Sequence, residues 1–252
     1  MKLGQHFLND RLTIERIVSF AEIKPDDRVL EIGPGTGILT TALAARAERV
    51  YAVEVDPDLA VALCGRAPNV QVINADALTV ALPDYNKIVS NLPYQISSKI
   101  SYRLLSRPFE LAVLMFQREF VERMTACPGS KDYGRLAMVA GFFCQIEVLE
   151  SVPRTAFRPV PEVDSVIVRL RPRERQEVDT VVFMRLVETL FRNRRKKVKK
   201  GLAAYGVSRE ILAELDASLL DRRPEELTPD EVAGIARAIG NHNVCNRKKD
   251  GP

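Results

Sequence analysis

The 252-residue chain has few of the residues that bind metals or staple a fold. Its four cysteines, Cys64, Cys127, Cys144 and Cys245, stand 63, 17 and 101 residues apart, and only His6 and His242 could join them. No pair has the C-x-x-C spacing of a zinc site, so no metal is expected. Unpaired thiols in a chain of this size fit a reducing compartment, which makes the cytoplasm the expected location. Long apolar runs are missing as well. The longest, residues 111–116, has six residues, against the ~20 that a membrane-spanning helix needs. Met1 to His6 lacks the apolar core of a secretory leader and reads as the start of a mature protein. Repeats and low-complexity tracts are absent, and with 46% apolar and 28% charged residues of mixed sign, disorder is excluded. At roughly 150 residues per domain the length allows one or two domains.

What charge there is lies unevenly. The formal net charge is +4, yet residues 1–172 carry 20 Lys and Arg against 20 Asp and Glu, and residues 173–252 carry 17 against 13. Within the tail, Arg192, Arg194, Arg195, Lys196, Lys197, Lys199 and Lys200 put seven cations into nine positions. Such a run is often only a solvated helix face. This density points instead to a polyanion as partner, with the run expected on a helix that shows charge around most of its circumference.

Apolar, β-branched runs alternate with amphipathic stretches through the first half. Strands are expected at 28–32, 50–55, 70–74, 87–90 and 111–116, with helices at 37–47, 57–66 and 97–106 between them. Short apolar strands separated by helices make βαβ units, hence an α/β fold with a parallel sheet covered on both faces. Residues 143–151 and 165–170 read as strands joined only by the Pro-rich segment 153–161, an antiparallel pair at the sheet edge. Beyond residue 172 the β pattern stops and helices are expected at 181–192, 196–205, 209–215 and 229–239, the last capped by Thr228 with Pro229 in its first turn. This places a domain boundary near 172–178, giving a sheet domain over 1–172 and a small all-α, basic domain over 173–252.

The first strand runs into Glu31-Ile32-Gly33-Pro34-Gly35-Thr36-Gly37 at the start of a helix. Glycines at alternate positions let backbone approach a ligand closely. Such a loop could be a mere turn or a dinucleotide site, but the dinucleotide spacing is G-x-G-x-x-G and here it is G-x-G-x-G. The second strand ends at Glu54, where a carboxylate can accept both hydroxyls of a ribose. The third is followed by Asp76, placed to accept from an adenine amino group. Three carboxylates (Glu31, Glu54 and Asp76), with no cation for a phosphate, suit a positively charged adenosine cofactor, S-adenosylmethionine, better than a dinucleotide.

The fourth strand ends in Asn91-Leu92-Pro93-Tyr94. A strand ending in a proline turn would tolerate many residues, whereas each of these four has a chemical use. An exocyclic adenine nitrogen is a poor nucleophile because its lone pair is delocalised into the ring. The Asn91 side-chain oxygen and the Leu92 carbonyl can accept its two hydrogens and stabilise the charge that develops there. Pro93 fixes the backbone direction and Tyr94 offers a ring for an extruded base to stack on.

Together, Gly4-Gln5-His6-Phe7-Leu8-Asn9-Asp10, the Glu31 to Gly37 loop, Glu54, Asp76, Asn91 to Tyr94 and Phe157-Arg158-Pro159-x-Pro161-x-Val163-Asp164-Ser165 resemble the ribosomal RNA adenine dimethyltransferases of KsgA type, over about residues 2–172. The resemblance implies a Rossmann-like methyltransferase fold, mostly parallel and seven-stranded with an antiparallel edge hairpin, and a helical C-terminal domain. It further implies S-adenosylmethionine as cofactor and N6,N6-dimethylation of two adjacent adenosines near the 3′ end of small-subunit rRNA. By motif matching, His6 and Leu8 line the cofactor site, and Gly33, Glu54, Asp76 and Asn91 contact the cofactor, as Gly35 does in the same loop. The family more often has Asn at the position of His6; either side chain donates a hydrogen bond. The insert Pro128 to Arg135 and the short N-terminus look like the archaeal and eukaryotic branch.

Phe157, in a Pro-rich loop, is either a core residue or a cover for the target base opposite Tyr94. Lys131 and Arg135, expected on a Gly-containing loop, are candidates for phosphate contacts or ordinary surface charge. A large-subunit rRNA adenine methyltransferase of the antibiotic-resistance type shares the loop and the tetrapeptide. A DNA adenine methyltransferase would carry a larger recognition domain, and a non-catalytic RNA-binding assembly factor would not need Asn91 and Tyr94. A monomer bound to small-subunit rRNA, away from membranes, is the expected state.

Overall fold

Eleven helices and nine strands follow one another in the computed structural model, which describes residues 6–174 and 177–249, the last eight as backbone only. Gly4 and Gln5 of the N-terminal motif and the side chains of His242 and Cys245 therefore lie outside the described residues. The strands are β1 (Phe7–Leu8), β2 (Arg28–Ile32), β3 (Arg49–Glu54), β4 (Val70–Asn74), β5 (Lys87–Asn91), β6 (Leu111–Gln117), β7 (Cys144–Val152), β8 (Phe157–Arg158) and β9 (Ser165–Pro172). The helices are α1 (Arg11–Phe20), α2 (Ile38–Ala44), α3 (Pro57–Leu63), α4 (Ser97–Leu105), α5 (Arg118–Met124), α6 (Arg135–Phe143), α7 (Thr180–Arg192), α8 (Val198–Tyr205), α9 (Arg209–Glu214), α10 (Ala217–Asp221) and α11 (Pro229–Lys249).

Seven strands form one sheet in the order β4-β3-β2-β5-β6-β9-β7. The pairs from β4 through β6 are parallel and β9 runs antiparallel to β6. Val29, Leu30, Glu31 and Ile32 of β2, and Leu111 to Phe116 of β6, are buried residue after residue because both faces of the sheet are covered. The chain order reverses between β2 and β5, and the crevice at the carboxyl ends of those two strands is where such sheets hold ligands. One face packs Val29, Val50, Val89, Val113, Met115 and Ile167 with Ile14, Ile17 and Val18 of α1 and Leu39 and Leu43 of α2.

The expected strands are present to within two residues at either end. Four helices had no counterpart in the reading of the sequence: α1, α5, α6 and α10. α6 is buried at Leu136, Ala137, Met138, Val139 and Ala140 in succession, so it has no polar face to mark its period. The ribbon of β1 with β8 was also unforeseen; it pairs Phe7 with Arg158 and Leu8 with Phe157.

The chain divides into two compact units. One comprises the chain through Val121 together with Gln145–Pro172, and the other Glu122–Cys144 together with the chain from Arg173 on. Residues 122–144 thus group with the helical unit, although they precede the expected boundary near 172–178. The reason is aromatic packing: Phe142 stacks on Phe183 of α7 at 3.9 Å between ring centroids, and Tyr133 donates to the Leu227 carbonyl at 2.8 Å. In this unit Asp179 caps α7, and Thr228 and Glu231 cap the start of α11 reciprocally.

The basic run is not one helix. Arg192 closes α7, Asn193 leaves helical geometry (φ −128°, ψ 46°), and α8 starts only at Val198. Much of its charge is neutralised locally. Arg192 pairs with Glu188, Arg194 with Glu225 at 3.1 Å, and Lys197 and Lys199 share Asp221. Arg194 also donates to the carbonyls of Lys131 and Tyr133. Arg135 opens α6 rather than sitting in a loop, with Glu188 4.0 Å from it, while Lys131 is exposed.

Candidate functional site

A cleft of about 310 Å³ opens at the carboxyl ends of β2, β3 and β5, a volume near the lower end for small-molecule sites. It brings together His6, Leu8, Gly33, Gly35, Glu54, Asp76, Asn91, Leu92, Pro93 and Tyr94. Every cofactor candidate of the sequence and the whole tetrapeptide therefore share one wall or another of it. Among the described residues the lining includes no Lys or Arg.

Two glycines let the walls approach. Gly33 has φ +67°, and a Cβ there would come within 2.8 Å of Pro93 Cγ; Gly35 has φ +56°, and its Cβ would meet Phe7 at 2.7 Å. The glycine loop is thus fitted to the tetrapeptide on one side and to the N-terminal segment on the other. The Ile32 amide donates to the buried Ser90 hydroxyl at 2.8 Å, locking the ends of β2 and β5 in register.

The carboxylates are held from behind. Glu54, buried at the tip of β3, accepts from the Gly35 amide at 3.1 Å through one oxygen and from the Asp56 amide at 3.0 Å through the other. Asp76, just beyond β4, accepts from the Leu78 amide at 2.8 Å. Arg103 of α4 donates to the carbonyls of Ala77 and Val80 and so fixes the loop that carries Asp76. Glu31 is buried and its Oε2 has no hydrogen-bond partner among the described residues.

Asn91, at the last position of β5, presents a buried Oδ1 that also lacks a partner among the described residues. A buried amide oxygen left unbonded is costly, which marks it as an acceptor awaiting a donor. Leu92 is fully buried and its amide donates to the Met115 carbonyl. Tyr94 is anchored by a 2.8 Å hydrogen bond between its hydroxyl and that of the buried Ser165, and burial pushes its phenol above the usual value. The His6 ring lies over that of Tyr94, with centroids 6.0 Å apart and planes inclined by 28°, and its Nδ1 donates to the Pro159 carbonyl at 2.8 Å.

Phe157 does not join them. It is fully buried in the core cluster beside Leu8, and pairing with β1 turns its ring inward while Arg158 turns outward. The core alternative is the one the structure shows. The sequence candidates omitted Ser165, Arg103 and the hydrophobic lining at Ile32, Ile38, Val53 and Ile96. Ser165 was quoted only as the end of the Pro-rich motif, and no local pattern pairs it with a tyrosine 71 residues earlier.

A family model described as ribosomal RNA adenine dimethylase matches residues 1–236. A probable ribosomal RNA small subunit methyltransferase A of Methanosarcina mazei is 44% identical over 246 residues, covering 93% of this chain and 91% of that protein. Its namesake in Methanopyrus kandleri is 44% identical over 253 residues, covering 94% and 91%. Among solved structures, a dimethyladenosine transferase from Plasmodium falciparum superposes with a TM-score of 0.80 at 27% identity over 94% of this chain and 98% of that one. The 23S rRNA methyltransferase ErmE does so with 0.62 at 35% identity, over 92% and 99%.

Proposed function

The chain belongs to the ribosomal RNA adenine dimethylase family, and from that we propose that it transfers methyl groups from S-adenosylmethionine to N6 of two adjacent adenosines near the 3′ end of small-subunit rRNA. The observation that carries the reading is the unpartnered Asn91 oxygen in the same cleft as Glu54 and Asp76. A cationic adenosine suits the residues present: the buried acidic side chains of Glu31 and Glu54, a cradle that a Cβ would fill, and no Lys or Arg among the described lining residues to receive a phosphate. Glu54 would hold the ribose, Asp76 the adenine amino group, and the Gly33 to Gly35 backbone, His6 and Leu8 the remainder. When bound, that cofactor supplies an electrophilic methyl group.

The chain's own residues prepare the nucleophile. Asn91 Oδ1 and the Leu92 carbonyl accept the two hydrogens of the target amino group, favouring a pyramidal nitrogen whose lone pair is free to react, and stabilise its developing positive charge. Tyr94, held by Ser165, supplies the stacking face. No side chain need act as a base, because the proton can leave to water after transfer. The unit through Val121 with Gln145–Pro172 is assigned the chemistry and the helical unit the rRNA contact, in a monomer acting in the cytoplasm. No helix among the described residues is long and apolar enough to cross a membrane.

Unmodified small and large subunits incubated together with methyl-labelled cofactor, followed by mass spectrometry of both rRNAs, should yield dimethyladenosine near the 3′ end of the small-subunit rRNA. Label confined to large-subunit rRNA would instead place the enzyme with the second solved relative. Glu54→Ala should raise the cofactor dissociation constant about 10- to 100-fold by calorimetry, the worth of one or two charge-assisted hydrogen bonds; an unchanged constant contradicts the ribose contact.

For the rRNA contact, the pairing within the basic run decides which residues to change. Arg195, Lys196 and Lys200 are exposed and have no ion-pair partner among the described residues. Replacing these three by Ala should weaken small-subunit binding and reduce the slope of log K against log salt by about 2 to 3, with cofactor affinity intact. Arg194 is better left alone, since its guanidinium serves Glu225 and two carbonyls. A slope equal to wild type would remove the run from the interface.

A further inference from the structure

Glu31 is used by neither the methyl transfer nor the ribose contact, yet it lines the cleft at 2% exposure with Oε2 unpartnered among the described residues. Among the described residues, no Lys or Arg lines the cleft around it. Glu54 stands on the neighbouring β3, Asp76 and His6 on other walls of the cleft, and Thr40 of α2 and Ser90 and Asn91 of β5 are neutral. A carboxylate so enclosed is strongly disfavoured. Burial pushes the Glu31 carboxyl up to about 8, against the neighbouring Thr40 hydroxyl, which lowers it, while the charge of Glu54 adds a smaller upward push.

We propose that Glu31 is a charge-reading carboxyl, neutral in the ligand-free protein, which gives up its proton when a cationic group of the cofactor enters the cleft. The inference rests on the methyltransferase reading of this cleft and adds to it a proton balance. The O–H bond of Glu31 breaks, the proton passes to solvent, and the carboxylate left behind faces the incoming cation. Two groups of S-adenosylmethionine have the required charge, its sulfonium and its ammonium, and the demethylated thioether product keeps only the second.

Calorimetry of cofactor and of thioether product in buffers of different ionisation enthalpy separates them. Cofactor binding at pH 7 should release close to one proton, about 0.9 for a carboxyl titrating near 8. Its dissociation constant should tighten about tenfold per pH unit between roughly 6 and 8 and level off above. Glu31→Gln should abolish both effects, while His6→Asn, which removes the imidazole of the cleft, should keep the release. Equal release with the product identifies the ammonium as the group sensed, and release with the cofactor alone identifies the sulfonium; either supports the proposal. Should the Gln variant not fold, wild-type protein with ¹³C-carboxyl glutamate should show one glutamate titrating near 8 that shifts to the carboxylate position on adding cofactor. Cofactor binding without proton exchange, or an unaltered release in Glu31→Gln, overturns the inference and leaves the methyltransferase reading standing. Failure of the wild-type protein to bind cofactor at all overturns both.

Discussion

Asn91→Ala should bind S-adenosylmethionine within a few-fold of wild type and lose about 100- to 1,000-fold in the rate of methyl transfer. The expectation comes from what the oxygen does. Oδ1 is buried and bonded to nothing among the described residues, so in the proposed mechanism it is free to accept from the target amino group, most strongly as charge builds on nitrogen. An interaction reserved for the transition state lowers the rate constant rather than substrate affinity when it is lost. Removal of one such preorganised group typically costs about 2.7–4 kcal/mol. Asn91→Asp keeps an acceptor oxygen and should lose far less than the alanine variant. Single-turnover transfer of tritiated methyl groups, with cofactor affinity measured separately, makes the comparison. Near-normal turnover in Asn91→Ala would refute the role assigned to the amide.

Lys87→Met should cost about 3–5 kcal/mol of stability, although Lys87 lies far along β5 from the reacting centre. Its ammonium is 2.8 Å from Asp27 with both side chains almost fully buried (4% and 2% exposed), and it also donates to the carbonyls of Ala21 and Glu22. Asp27 further accepts from the Lys24 amide and from Asn86, whose own oxygen takes the Arg28 amide. The cluster thus ties the loop after α1 to the starts of β2 and β5. Removing one member of a buried ion pair strands the other charge, which is the costly case. At about 2–4 °C per kcal/mol for a chain of this size, the melting temperature should drop by roughly 6–20 °C. The double variant Lys87→Met with Asp27→Asn should recover part of the loss.

The same cluster sets an acid limit. Burial alone would raise the Asp27 carboxyl, but the Lys24 amide, the Lys87 ammonium and the Asn86 amide outweigh it and hold the group below the usual carboxylate range. A depressed folded value means a contribution fully present above the unfolded value of about 4 and lost as pH falls through the folded one. Denaturant titrations from pH 6 down to pH 2 should show a steeper decline for wild type than for the double variant. Parallel curves would show that the pair carries none of the acid sensitivity.

How much of this was legible beforehand differs from element to element. The strands that build the sheet announce themselves because a strand buried on both faces must be apolar at every position, as β6 is from Leu111 to Phe116. The Gly33 loop and Asn91 to Tyr94 were legible for a different reason: close backbone approach and an acceptor at a strand tip each demand a particular residue type. α6 was not legible, since a helix covered on all sides carries no stripe. Neither was the break in the basic run, because Asn193 could continue a helix as well as end one. What ends α7 there is Arg194 reaching Glu225 and the carbonyls of Lys131 and Tyr133, 31 to 63 residues away.

The amino-acid sequence by itself determined the parallel sheet, the order of its strands along the chain, and the residue types gathered in the cleft, because periodicity and local backbone chemistry are written in adjacent residues. The tertiary structure alone decided which candidates meet. It turned Phe157 into the core through pairing with β1, spent Arg194 on internal partners, bound Tyr94 to Ser165, and left Glu31 and Asn91 each with an oxygen unbonded among the described residues. Those outcomes depend on contacts between residues far apart in the chain, and on the burial that only the assembled sheet and its covering helices create.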